Sequence, residues 1–347
     1  MHGGDIYRHP IRLDFSVNIN PLGLPEGTER VFDDLLTKCR AYPDLISEGL
    51  RAAIGNMEEI SPEFILCGNG ASELFAAIVH AVRPQKALVL TPGFSGYEKA
   101  LKMETGCRIL KVALKKESGF LPDEETVEAL DPDADILFLA SPNNPTGQLI
   151  PEKILKALLD KCLKEKIIVV FDECFEPFVR DYQGQTQSLD LTAAYDNLIS
   201  VRAFTKIFAM PGIRLGYLVC RNEGLREAIS RQLPEWNVSV PAQLIGREAA
   251  KEARPFMEKT AAYVAKERAY LAEELKNLGF EVFPGQANFI LFRTDLPLYD
   301  LLLERGVLIR DCSDYDGLAS GYFRTAVRTH EENETFVGIL REVVTHA

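Results

Sequence analysis

A lysine among apolar neighbours is the first candidate for chemistry in this chain. The stretch Val201–Tyr217, VRAFTKIFAMPGIRLGY, sets Lys206 between Thr205 and the pair Ile207-Phe208, with Arg214 eight residues later. Neighbours that dehydrate an ammonium lower its pKa and favour the neutral amine, which condenses with an aldehyde. A lone lysine ahead of a core strand is more often a surface residue, so the reading depends on what else the chain supplies. Gly68-Asn69-Gly70 followed by Ala71 and Ser72 reads as a glycine turn opening a helix, whose unpaired N–H groups face an anion. A plain tight turn is the commoner meaning of Gly-x-Gly. Asn144 stands in SPNNPTG, just after the apolar run DADILFLA. Asp172 closes the β-branched run IIVVFDE, as a site carboxylate or as a helix cap.

The elements that must position these groups follow from the pattern. From Phe64 onward, apolar runs of strand length (FILC, KALVL, CRILKVAL, DADILFLA, IIVVFDE, LISVR, LGYLVC) are separated by turn and helix patterns. This predicts an α/β domain with a mostly parallel sheet flanked by helices. Parallel sheets bind ligands beyond the carboxyl ends of their strands, which puts the glycine turn, Asn144, Asp172 and Lys206 on one rim. Phe94 and Tyr97 lie just past the end of KALVL, where core packing is the default for either ring. RAYPD (40–44) reads as a turn presenting Tyr42. After Gly224 the pattern is helical, with Pro255 an interruption. A smaller α+β unit then closes the chain: FEVFPG, ANFILFR, LYDLLLERG, VLIRDC, YFRTAVR and a last helix from about His330. Arg310 and Arg324 end up on neighbouring strands, where alternation can aim both at one face; two surface arginines is the other reading. The expected division is a large domain over 36–235 and a small domain built from 1–35 and 236–347. Residues 1–35 are rich in turn formers and read as an irregular arm, the alternative being that His2-Gly3-Gly4 and Asn20 fold over a cleft.

Composition narrows the class. A chain of 347 residues with 46% hydrophobic and 26% charged residues has the balance of a soluble globular protein. A net charge of −12 argues against nucleic acid or an anionic membrane as partner, while clustered arginines can still gather a small anion. Seven cysteines, an odd number without framework spacing, suit reduced thiols in the cytoplasm. The start MHGGDIYRHP has no signal-like apolar region, no run reaches transmembrane length, and no metal-ligand spacing stands out.

SPNNPTG, FDE and TK followed by RLGY, in this order and spacing, resemble the class I and II aminotransferases over essentially the whole chain. The resemblance implies the fold-type-I architecture of enzymes that use pyridoxal 5'-phosphate (PLP). It implies Lys206 as the Schiff-base lysine, Asp172 on the pyridinium N–H and Asn144 on the ring's phenolic oxygen. Arg214, Ala71 and Ser72 would bind the cofactor phosphate and Phe94 would stack on the ring. Tyr42 would reach the phosphate of the partner subunit, giving a homodimer with shared active sites. Ala203 stands where the family often has a phosphate-binding serine, so Thr205 or Ser72 would serve instead; Phe175 replaces a frequent tyrosine.

Within that group, HGG, DFSVNINPLG, GNGASE, TPGFSGYEKAL, FTKIFAMPGIRLGYLV and LIRDCSDYDGLASGYFRTAVR resemble the L-threonine-O-3-phosphate decarboxylases of cobalamin biosynthesis. The last is the most discriminating, with Cys312, Tyr315, Gly317 and Leu318 between Arg310 and Arg324. It implies a small phosphorylated amino-acid substrate held by His2, Asn20, Asn144, Arg310 and Arg324, with Arg324 at the position usually given to the carboxylate. The implied reaction is decarboxylation of L-threonine O-3-phosphate to (R)-1-aminopropan-2-yl phosphate. The histidinol-phosphate aminotransferases are a sister family sharing the cofactor residues. An aminotransferase for histidinol phosphate or an aromatic amino acid is therefore the enzymatic alternative, and a non-catalytic protein on the same fold is another. The bond held perpendicular to the cofactor ring breaks, so carboxylate placement separates decarboxylation from transamination.

Overall fold

The apolar runs after Phe64 pair into one seven-stranded sheet in the computed structural model, which describes residues 3–179 and 187–346. His2 lies outside the described residues. A two-residue strand β1 (Leu13–Asp14) comes first. The sheet then takes β2 (Ile65–Gly68), β3 (Lys86–Thr91), β4 (Arg108–Ala113), β5 (Ile136–Ala140), β6 (Ile168–Asp172), β7 (Leu198–Ala203) and β8 (Gly216–Val219), in the order β2-β8-β7-β6-β5-β3-β4. Every pairing is parallel except those of β8 with β7 and β2. Strands β5 to β7 are buried along nearly their whole length, and for this reason ILFLA, IVVFD and LISVRA show no polar alternation. Helices cover both faces. Phe75, Ile78 and Val79 of the helix Ala71–Val82 pack against Val89, Phe138 and Val170. Leu155, Leu158 and Leu159 of the helix Glu152–Lys164 pack against Leu137 and Val169 on the other side.

A smaller antiparallel sheet forms from β9 (Glu281–Val282), β10 (Phe289–Arg293), β12 (Arg310–Asp311) and β13 (Tyr322–Ala326), in the order β12-β13-β10-β9. The remaining strand β11 (Val307–Leu308) pairs in parallel with β1. This fold-type-I arrangement, a large mostly parallel sheet with helices and a smaller α+β unit, is the architecture expected from the sequence. The helical stretch breaks at Glu252, between Val240–Lys251 and Ala253–Asn277. Pro255 falls in the first turn of the second helix, where its missing N–H is not needed.

The N-terminal segment is not a loose arm. Phe15 N–H donates to the Leu308 carbonyl at 2.7 Å, and the Phe15 carbonyl accepts from Ala326 N–H at 2.8 Å. Its ring is fully buried and stacks on Phe336 at 4.3 Å. Truncating such a ring costs about 3–5 kcal/mol, a large share of a domain's net stability. Turn residues set the local path of this segment, but two long-range hydrogen bonds and one buried ring decide where it lies. Among the described residues, no helix is long and apolar enough to cross a membrane.

Candidate active site

One cleft lies beyond the carboxyl ends of the parallel strands. Lys206, Asp172, Asn144, Ala71, Ser72, Phe94, Thr205, Arg214, Arg310 and Arg324 all line it. Ten residues predicted from separate stretches are thus brought together.

The floor is Asp172, delivered by the end of β6. Its carboxylate accepts from Tyr97 Oη at 2.6 Å and from Cys174 N–H at 2.9 Å. Burial raises its pKa against the opposing pull of these hydrogen bonds and of Lys206. Burial, with the Asp172 charge next to it, pushes the Tyr97 phenol well up as well, so Tyr97 holds its proton as a donor. The Tyr97 ring is wedged against Phe138 at 5.1 Å and Phe75 at 5.2 Å, which aims the hydroxyl. Core packing and site chemistry are served by the same side chain.

Lys206 sits in the single turn Phe204–Ile207 that follows β7. Its pKa is lowered to about 8, first by burial, then by the Arg324 guanidinium and further by Arg214, against the pull of Cys174 and Asp172. The dehydration expected from the sequence is the first cause; Thr205 lines the cleft, while Ile207 and Phe208 are buried in the main core. A cation 118 residues downstream adds to it, which the local sequence did not show. The preceding strand is anchored by Arg202, buried between Glu58 at 2.9 Å and Glu173 at 3.3 Å. Losing one partner of such a buried pair costs about 3–5 kcal/mol.

The anion cradle depends on a glycine. Gly70 has φ +83°, and a Cβ there would lie 2.5 Å from Arg214 Nη2. Only glycine lets the arginine close over the start of the twelve-residue helix Ala71–Val82. Unpaired N–H groups at that start, the Ser72 and Thr205 hydroxyls and the Arg214 guanidinium together suit a phosphate dianion.

The opposite wall carries two more arginines. Arg310 and Arg324 are direct register partners across β12 and β13, so their side chains leave the sheet on one side. Each is only 6% exposed. Arg324 donates through Nη1 to Asn144 Oδ1 and through Nη2 to the Ser16 carbonyl at 3.0 Å. Its Nε finds no partner among the described residues, and its guanidinium lies over the Phe289 ring at 5.3 Å. Arg310 pairs with Asp314 and lies over the Tyr315 ring at 5.1 Å. Tyr315 Oη also donates to Asn144 Oδ1 at 3.4 Å. With Oδ1 taken by two donors, the Asn144 amide group is the side left to give a hydrogen bond.

Asn20 is not a cleft residue. Its Nδ2 donates to the Ile207 carbonyl at 2.7 Å and to Thr260 Oγ1 at 2.9 Å, and its Oδ1 accepts from Leu22 N–H at 2.9 Å. Both its amide donors are used in tying the lysine turn to the long helix. Asn18 takes the place expected for it, lining the cleft with Gly3 and Ser16. The Asn18 Oδ1 atom is buried without a hydrogen-bond partner among the described residues, the mark of a group prepared for a ligand. Tyr42 is not in its own subunit's cleft; it is 79% exposed and packs on Trp236 at 4.8 Å. Sequence reasoning missed Tyr97, Tyr315, Asn18 and Cys174 as cleft residues. Tyr97 carried a usable signal in its position just after a strand's carboxyl end, and Tyr315 in its place within the motif between Arg310 and Arg324. Among the described residues, no cluster of His, Cys, Asp or Glu is arranged to hold a metal ion.

Comparison with known proteins agrees with this geometry. The profile of the family "Aminotransferase class I and II" matches residues 11–340. The threonine-phosphate decarboxylase of Salmonella typhimurium is 36% identical over 339 residues, covering 96% of this chain and 91% of that one. The histidinol-phosphate aminotransferase of Thermococcus gammatolerans is 32% identical over 335 residues, covering 96% and 92%. Among solved structures, the histidinol-phosphate aminotransferase of Clostridium acetobutylicum superposes with a TM-score of 0.89 at 30% identity, covering 96% of this chain and all of that one.

Proposed function

We propose, on the premise that this chain belongs to the class I and II aminotransferase family, that it decarboxylates L-threonine O-3-phosphate to (R)-1-aminopropan-2-yl phosphate. Members of the family are PLP-dependent enzymes, and membership makes this chain a decarboxylase or a related aminotransferase. The residues present fit the cofactor: a glycine-gated arginine cradle for its phosphate, a buried carboxylate for its ring nitrogen and a lysine with a lowered pKa. When bound, PLP supplies an electron sink for the pair released at the substrate's Cα. Lys206 would carry it, Asp172 would hold the ring proton, and Asn144 would donate to the ring oxygen. Arg214, Ala71, Ser72 and Thr205 would take the phosphate, with Phe94 against the ring.

The observation that carries the reading is the facing pair Arg310 and Arg324, buried in the cleft that holds Lys206. Two guanidinium groups suit a substrate with two anionic ends. Arg324 donates to the neutral Asn144 Oδ1 and Ser16 carbonyl oxygens, so its charge is available to a carboxylate. Arg310 would then take the substrate's phosphate, with His2 a further expected contact to the substrate's anionic groups. A Lys206 amine with a pKa of about 8 can hold or release a proton at Nζ near neutral pH, as the return of a proton to Cα requires. The test is CO2 release from O-phospho-L-threonine by the PLP-loaded protein with no keto acid present. Equal release from unphosphorylated threonine, or keto-acid-dependent amino transfer from histidinol phosphate in its place, would remove the reading.

The reading extends to assembly and setting. The chain would divide near residue 235, with the N-terminal segment joining the C-terminal unit; the β1–β11 pairing supports this. It would act as a homodimer in which Tyr42 serves the partner's cofactor phosphate. Exposed Tyr42, Leu45, Ile46 and Trp236 support a covered face there. Seven unpaired thiols suit a reducing cytoplasm, and the product would feed cobalamin assembly.

A further inference from the structure

Gly96 is the second residue of the helix Ser95–Leu101, and its backbone does not call for glycine, since its φ is not positive. Alanine is the better helix former at such a position. The reason for glycine lies in one neighbouring side chain. A Cβ on Gly96 would sit 2.2 Å from Cε1 of Phe94, 2.8 Å from Cζ and 2.9 Å from Cδ1. Carbon atoms in contact stand about 3.5–4.0 Å apart, so the ring would have to retreat by about 1 Å or more. On its other flank the Phe94 ring meets the Tyr97 ring edge-on, at 5.5 Å and 85°. Phe94 is partly buried and lines both the cleft and an outer cavity that takes in Lys99 and Lys102, so open space adjoins it on two sides. A ring pushed off Gly96 moves into one space or the other, and because side-chain torsions occupy staggered wells it jumps to another rotamer.

We propose that Gly96 is a positioning residue for the cofactor: by carrying no side chain it seats the Phe94 ring on the helix start and fixes the plane that the PLP ring rests against. The inference rests on the reading that Phe94 lies against that ring, and it does not depend on which bond at the substrate's Cα breaks. Seated between Gly96 and Tyr97, the Phe94 ring takes its place from the same tyrosine that donates to Asp172. The face of the cofactor ring and the partner of its nitrogen are thereby set by one rigid group. A displacement of about 1 Å at such a wall is enough to spoil a bound geometry.

The test titrates cofactor-free protein with PLP and records the visible circular dichroism of the bound cofactor, for wild type, Gly96→Ala, Phe94→Ala and the double variant. Gly96→Ala is expected to lower PLP affinity about tenfold, the scale of one lost aromatic contact, and to change the dichroism band. The melting temperature (Tm) of its cofactor-free form should be equal or higher, as alanine favours the helix. Phe94→Ala should lose a similar factor, and adding Gly96→Ala to it should cost nothing more. Unchanged affinity and dichroism in Gly96→Ala, with Phe94→Ala weakened, overturn the inference and leave Phe94 its role. An equal loss from Gly96→Ala in both backgrounds overturns it as well, because the effect would not pass through the ring. Phe94→Ala binding PLP as the wild type does removes the reading of Phe94 and the inference with it. The decarboxylation stands or falls separately, on CO2 release.

Discussion

Exchanging Arg324 for glutamine asks whether the low pKa of Lys206 is an electrostatic property of the folded cleft. Burial is the first cause of that pKa of about 8, and Arg324 is the second. With a pKa of about 8, roughly a quarter of the amine is neutral at pH 7.5, against about 0.1% for an ordinary lysine. Removing a close guanidinium should restore about one unit, or ~1.4 kcal/mol. The neutral fraction then falls to about 3%, and capture of an aldehyde at pH 7.5 slows about eightfold. The sign follows from the charge: a like cation disfavours the ammonium, so its loss moves the profile to higher pH. By about pH 10 both proteins are mostly neutral and their rates converge. The assay mixes cofactor-free protein with pyridoxal across a pH series, reduces with borohydride and counts the adduct on the Lys206 peptide by mass spectrometry. Arg324→Lys keeps the charge and should keep the midpoint. A midpoint that stays near 8 in Arg324→Gln would show that burial alone sets it. Adduct on another lysine would remove Lys206 from its assigned role altogether.

Two further outcomes are expected. Gly70→Ala forces a side chain into a left-handed backbone (φ +83°) and into Arg214 Nη2; PLP titration should show affinity lowered about tenfold or more, and unchanged affinity would refute the cradle. Tyr42→Phe should weaken PLP binding by the ~1.5–3 kcal/mol of one hydrogen bond to a charged group, in a protein that sediments as a dimer; a fully active monomer would refute the shared site.

Much of the site was legible because each cofactor-side residue belongs to a local pattern. Lys206, Asp172, Asn144 and the Gly70-Ala71-Ser72 turn each follow a short apolar strand, and the carboxyl ends of parallel strands share one rim. Strand period and turn chemistry act over a few residues, so these placements depend little on distant parts of the chain. The glycine turn gained its meaning only from tertiary contact, since nothing near Gly70 in sequence shows that Arg214 will press against it.

What the amino-acid sequence alone determined was the α/β architecture, the lysine with its strand-end partners and the two arginines on neighbouring strands. Tertiary structure decided which of two asparagines, two positions apart, faces the cleft. Asn20 is taken by Ile207 and Thr260, and Asn18 is left open. It also decided that Tyr97 is a donor to Asp172, and that Arg324 helps set the pKa of Lys206 while Arg310 is matched by Asp314. The physical reason is range. Backbone preference and apolar period are read from adjacent residues, whereas the state of a buried charge depends on every group that folding brings within a few ångströms.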